Sequence, residues 1–266
     1  IPLFSGAETG ENLWLRYNLL PEKVLSQYEG LSSVWIEEGG DVLSVARNEC
    51  YRALEGLTGH EWDTAENPGQ GDVAIGLNMD EKLASEHLAA DLQSCGEEGY
   101  VIRTLNKGNA SQVVITGKSE AGVLYGTFAF IRLLQTGASI GELAITETPK
   151  YDRRLLNHWD NLNGTVERGY AGHSIWWNRE KSPDALSAHY KTYARANASV
   201  GINGTVLNNV NADPQVLTSE YIDRFAQFAD LLRPYNIQVY MSVNFSSPAI
   251  LGDLEDSDPL RDEVRQ

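Results

Sequence analysis

After residue 150 one short pattern occurs three times: an apolar strand, a polar strand end, then an amphipathic helix. The first unit runs through Arg154 to Trp159, crosses a long loop and enters a helix over 183–196, with Pro183 in its first turn and Ser182 as its cap. The second places Gly204 to Leu207 ahead of Asn208 and Asn209, followed by a helix over Ser219 to Leu232. The third is Ile237 to Val243, ending in Asn244. Strands separated by whole helices cannot pair as hairpins, so the spacing predicts parallel strands with helical crossovers, in a barrel or an open α/β sheet. Where a dinucleotide fold would carry a glycine-spaced pyrophosphate loop, the first strand leads into Asn161-Leu162-Asn163-Gly164. Three units cannot close an eight-unit barrel. The chain stops at Gln266, in what reads as the start of another helix, so the fold is expected either to be small and open or to lack its remaining strands.

The first 148 residues read differently. Trp14 to Leu20 is an early strand or a short buried run ended by Pro21, and Asn48 to Leu57 has helical periodicity closing near Gly56 or Gly59. A polar loop over Glu61 to Gly71 precedes short strands at Asp72 to Leu77, Tyr100 to Leu105 and Gln112 to Thr116. Between Glu120 and Leu134 the period changes, and Leu124, Phe128, Ile131 and Leu134 fall on one helical face, with Gly137 as the exit. This predicts a small α/β domain over residues 1–148, with the boundary at Glu147-Thr148-Pro149-Lys150 and the barrel-type units over 149–266. Gly117-Lys118-Ser119 resembles the tail of a phosphate loop, but Gln112 stands where the upstream glycine is required.

Chemistry concentrates where the first strand ends. Ordinary turns need Asn, Asp and Gly but not His158, Trp159, Glu167 and Arg168 in the same interval. Trp159 either walls a sugar ring or caps a barrel core. Asp160 and Glu167 suit proton transfer, acceptance of hydroxyl hydrogen bonds, or support of the loop. Arg168 either pairs with one of them or presents its planar fork to a ligand carboxylate. Asn208, Asn209 and Asn244 offer donor and acceptor groups at strand ends, as sugar hydroxyls require, and as turns also require. His158 is expected to satisfy a structural hydrogen bond, and Trp176-Trp177 either lines a further sugar subsite or packs beneath the loop.

Composition narrows the partners. With 37 acidic against 21 basic residues the formal charge is -16, which disfavours a general nucleic-acid or anionic-membrane surface. No apolar run approaches the roughly 18 residues needed to cross a bilayer. Cys50 and Cys95 are too few for a disulfide scaffold and read as two buried thiols, and the five histidines share no ligand motif. Asn-x-Ser/Thr acceptors begin at Asn109, Asn163, Asn197, Asn203 and Asn244, favouring a secreted glycoprotein. The start at Ile1 without a leader pattern fits a processed chain as well as a trimmed one.

The run LLNHWDNLNGTVERGYAG, within Arg154 to Trp176, resembles glycoside hydrolase family 67, the α-glucuronidases that remove glucuronic acid or its 4-O-methyl form from xylooligosaccharides. WLRYNLL, GVLYGTFAFIRLLQTG and MSVNFSSPAILGDL carry the resemblance along nearly the whole chain. It implies a non-catalytic N-terminal α/β domain followed by a (β/α)8 TIM barrel, of which this chain holds the first three units. It further implies inverting hydrolysis, no cofactor or essential metal, and a homodimer of the full-length enzyme. By the match to the signature, Trp159, Glu167 and Arg168 are expected in the substrate pocket. Asp160, Asn161, Asn208, Asn209 and Asn244 extend that expectation through their barrel position. Asn163 stands where the family more often has Asp. The family's acid and base are expected beyond Gln266, so no catalytic residue is assigned, and the alternative is a catalytically incomplete carbohydrate-binding or structural domain.

Overall fold

Strand pairing in the computed structural model, which describes residues 10, 12–107, 110–177 and 187–265, separates a six-stranded from a three-stranded sheet. Two compact units correspond to them, residues 1–152 with 195–201, and residues 153–194 with 202–266.

The first unit contains α1 (Glu22–Leu25), β1 (Ser33–Ile36), α2 (Asp41–Thr58), β2 (Asp63–Thr64), β3 (Val73–Leu77), α3 (Met79–Leu83), α4 (Glu86–Ser94), β4 (Tyr100–Lys107), β5 (Ala110–Gly117), α5 (Glu120–Gln135) and β6 (Ala144–Glu147). Its sheet order is β2-β1-β3-β5-β4-β6. The first four of these strands are parallel, while β4 runs antiparallel to both β5 and β6. Side chains alternate across the sheet. Ala74, Val101 and Val114 join Met79 of α3 and Leu88 and Leu92 of α4 in one apolar cluster. On the other face α5 packs against α2, and Gly126 lets α5 settle onto Ile115 and Tyr100. Ser119 caps α5 by accepting from the Gly122 N–H (3.3 Å). Lys118, the false phosphate-loop lysine, is bonded to the Cys95 carbonyl at 2.6 Å. Trp14 to Leu20 forms no strand: Leu15, Tyr17 and Leu20 are buried within turns and irregular backbone, so the short-buried-run reading applies. Cys50 and Cys95 are free, buried thiols.

The second unit contains β7 (Leu155–Asn157), most of α6 (Ser187–Ala198), β8 (Gly204–Val206), α7 (Ser219–Leu232), β9 (Gln238–Tyr240), α8 (Ser247–Leu251) and α9 (Asp262–Arg265). The three strands pair in parallel, with Leu155, Gly204 and Gln238 in register and Asn157, Val206 and Tyr240 two residues on. Each strand is therefore followed by a helix in the (β/α) pattern. The expected cap at Ser182 and start at Pro183 lie outside the described residues, as does the Asn109 acceptor. Trp176, Trp177, Tyr190, Leu207, Tyr221, Phe225 and Phe228 form the core between helices and sheet. Both tryptophans are therefore packing residues and not a sugar subsite: they are 1% and 0% exposed. Trp177 donates to the Leu207 carbonyl at 2.9 Å, and Trp176 stacks on Tyr190.

Candidate functional site

Parallel strands in register end together, so whatever follows β7, β8 and β9 gathers at one rim. That rim is where α/β folds collect ligand-binding side chains. The loop after β7 folds back on itself through isolated bridges between Asp160 and Val166 and between Thr165 and His173. Its tight turn uses Gly164 at φ +87°, with the Gly164 N–H donated to the Asn161 carbonyl at 2.9 Å. Asn163 is exposed, and its Oδ1 accepts from the N–H and hydroxyl of Thr165 (3.0 and 2.8 Å). The β8 strand enters this arrangement through Asn209, whose N–H donates to the Asp160 carbonyl (2.8 Å).

A cavity of about 450 Å³ lies between the two strand ends, lined by Asp160 to Asn163, Asn208, Asn209 and Asn211 to Pro214. Asp160, Asn161, Asn208 and Asn209 thus come together around one space. The Asp160 side chain is only 5% exposed, and His158 Nδ1 lies 3.9 Å from its Oδ1, beyond hydrogen-bonding reach. Burial holds the His158 imidazole below its usual range, opposed by the charge of Asp160. His158 spends Nε2 on the Tyr193 hydroxyl at 2.9 Å, the structural bond expected of it. Among the described residues the lining carries two carboxylates, Asp160 and Asp213, and no basic side chain.

Several strand-end amides are saturated by the protein itself. Asn208 exchanges hydrogen bonds with the Ser242 backbone (Nδ2 to O 3.0 Å, Oδ1 from N 2.8 Å), extending the β8 to β9 pairing past the strand ends. Asn161 Nδ2 donates to Thr165 Oγ1 and to the Glu167 carbonyl, each at 2.9 Å. Asn244 is not in the cavity lining: its Oδ1 accepts from Ser246 N and Oγ (2.9 and 2.8 Å), turning the chain into α8.

Trp159, Glu167 and Arg168 also stand outside the lining. Trp159 is 39% exposed, too open for a core cap. Glu167 sits at φ +60°, the left-handed region that costs a residue with a Cβ roughly 1–2 kcal/mol. Its side chain is 20% exposed, and Arg168, 84% exposed, approaches it at 3.9 Å. An ion pair this open contributes little, so Arg168 remains available to an anionic partner. Asn211, Ala212, Asp213 and Pro214, which complete the cavity, escape a reading of strand ends alone. The Asp-Pro turn signal just past Asn208-Asn209 marks that loop.

Residues 13–130 match the glycosyl hydrolase family 67 N-terminus, and residues 133–266 match the glycosyl hydrolase family 67 middle domain. The alpha-glucuronidase of Hypocrea jecorina is 35% identical over 279 residues, covering 99% of this chain and 32% of that protein. A probable alpha-glucuronidase A of Aspergillus fumigatus is 41% identical over 287 residues, with coverages of 99% and 32%. The chain thus spans about a third of the length of these curated relatives. Among solved structures, a GH115 4-O-methyl-α-glucuronidase superposes with a TM-score of 0.52 at 14% identity, over 81% of this chain and 29% of the other. A GH138 enzyme targeting pectin rhamnogalacturonan II gives 0.50 at 14%, over 79% and 24%. At that identity the two structures share the fold.

Proposed function

Because the chain belongs to glycosyl hydrolase family 67, we propose that it is the N-terminal portion of an α-glucuronidase. That enzyme hydrolyses the α-1,2 link between (4-O-methyl)glucuronic acid and xylooligosaccharides with inversion. Residues 1–148 are the non-catalytic α/β domain in this reading, and 149–266 open the catalytic barrel. An inverting enzyme needs one acid to protonate the departing oxygen and one carboxylate to direct water to the opposite face. Barrel strands outside this chain supply that pair, and this chain supplies substrate-facing groups.

The observation that carries the proposal is the convergence of Asp160, Asn161, Asn208 and Asn209 on one cavity at the ends of parallel strands. Among the described residues its lining carries the carboxylates of Asp160 and Asp213 and no cation, which suits the hydroxyls of a neutral sugar and repels a uronate carboxylate. Arg168 is the cation on the signature loop suited to that carboxylate, Trp159 an exposed apolar wall for a sugar ring, and Glu167 an acceptor for hydroxyls. The acceptor motifs at Asn163, Asn203 and Asn244 support an extracellular location.

The test is product analysis of the full-length polypeptide with aldouronic xylooligosaccharides. Free uronic acid released as the inverted anomer is the expected product. Binding without release would assign the chain to a carbohydrate-binding protein, and neither binding nor release would discard the substrate class.

A further inference from the structure

We propose that Asn209 is a positioning residue: its side-chain amide, reaching from the end of β8, fixes the backbone conformation of Glu167 and does not itself hold sugar. The inference rests on the reading of Glu167 as a substrate-facing group.

An asparagine amide has two hydrogens to donate. Asn209 Nδ2 faces three acceptors, Asn161 Oδ1 at 3.0 Å, the Glu167 carbonyl at 3.1 Å and the Trp159 carbonyl at 3.3 Å. Its Oδ1 accepts from the Asn211 N–H at 3.0 Å, and its own N–H is spent on Asp160. The residue is 5% exposed. A sugar hydroxyl could reach the amide donors only by breaking bonds already made.

Those bonds converge on the residue that, among the described non-glycine residues of the loop, has a positive φ. Glu167 donates its N–H to the Trp159 carbonyl at 2.8 Å, and its carbonyl receives two amide donors, from Asn161 and Asn209. Its φ of +60° is thus fixed at both peptide groups. Glycine would occupy this conformation at lower cost. A glutamate there, braced from two sides, is explained by the direction in which the conformation points its carboxylate. Without the Asn209 donors, the Glu167 carbonyl keeps a single partner and the residue can relax toward negative φ, which swings the side chain away.

Asn209→Asp keeps the shape and the acceptor for Asn211 but removes both donors. Asn161→Ala removes other bonds of the same brace, and carries the test if Asn209→Asp does not fold. In the full-length polypeptide, hydrogen exchange over residues 160–170 is expected to quicken in both variants, with exchange in α7 unchanged. Turnover of an aldouronic xylooligosaccharide is expected to fall about tenfold to a hundredfold in kcat/KM. Adding Asn209→Asp to Glu167→Gln should cost no more than about twofold further, because the brace acts through that carboxylate. Unchanged exchange in both variants, or full additivity of the double variant, would overturn the proposal. If the unsubstituted enzyme released no uronic acid, the glucuronidase reading would fail instead, and exchange alone would decide the brace.

Discussion

Glu49, on α2, is buried with two partners in the first unit. Arg195 meets it with two parallel N–H bonds (Nε to Oε2 2.8 Å, Nη2 to Oε1 2.6 Å), and the Tyr17 hydroxyl donates to the same carboxylate. A further bond from Arg195 reaches the Leu15 carbonyl at 3.0 Å, which places the irregular stretch around Leu15 and Tyr17 in a defined position. A buried ion pair is costly to break from one side, since the survivor is left charged and dry. Arg195→Met should therefore lower stability by about 3–5 kcal/mol in urea unfolding, and Glu49→Leu combined with it should recover most of the loss. Next to this pair, Cys50 has its thiol pushed up to about 12, first by burial and then by the charge of Glu49. The unfolded thiol releases its proton near its ordinary value of 9.0 while the folded one retains it. Above that pH the unfolded state binds fewer protons, so stability falls as pH rises from about 9 toward 12. Cys50→Ala should flatten that decline in unfolding curves compared across the same range. None of this network was legible in the sequence, because Glu49 and Arg195 are 146 positions apart and each reads as an ordinary surface charge on a helix. The meeting of Asp160 and Asn161 with Asn208 and Asn209 was legible, since parallel strands bring their ends to one rim. The saturation of Asn161, Asn208 and Asn209 was not, because it depends on the register between β7, β8 and β9.

At the scale of elements, one carboxylate serves two helices. Glu120 lies in the first turn of α5 and also accepts from the Gly40 and Leu43 N–H groups at the start of α2 (2.9 and 3.4 Å), where no side chain of α2 caps the end. Both N-termini carry partial positive charge, so a single anion stabilises both. Glu120→Ala should cost about 1–2 kcal/mol, and Glu120→Gln less, in thermal or urea unfolding. Long periodic elements were readable: α7 spans Ser219–Leu232, and α5 Glu120–Gln135, as their apolar spacing predicts. β1 and β2 were not, because four and two residues between turn signals carry too little alternation to register. Nor did α4, whose single apolar stripe is short, stand out from the polar sequence around it.

At the scale of the whole molecule, the formal charge of -16 works against compactness. Raising monovalent salt from about 0.01 to 0.15 M shortens the screening length from roughly 30 to 8 Å. The midpoint of thermal unfolding should rise over that interval, and a fall would mean that attractive pairs outweigh the repulsion. The repeated unit after residue 150 was the most legible feature at this scale, because parallel pairing follows from strand and helix lengths alone. Which strands neighbour one another in the first unit was not, since β4 enters between β5 and β6 with reversed direction.

The turn at Asn163 and Gly164 also bears on how the protein ages. Asn-Gly is the dipeptide most prone to deamidation, through attack of the glycine nitrogen on the asparagine side chain and closure to a succinimide. Here that nitrogen is engaged with the Asn161 carbonyl, and the Asn163 side chain is held by Thr165. The fold thus restrains the very atoms that must meet. Peptide mapping after prolonged incubation at mildly alkaline pH should find Asn163 intact in native protein and converted to aspartate and isoaspartate in unfolded chains, so that its chemical lifetime records the integrity of the loop.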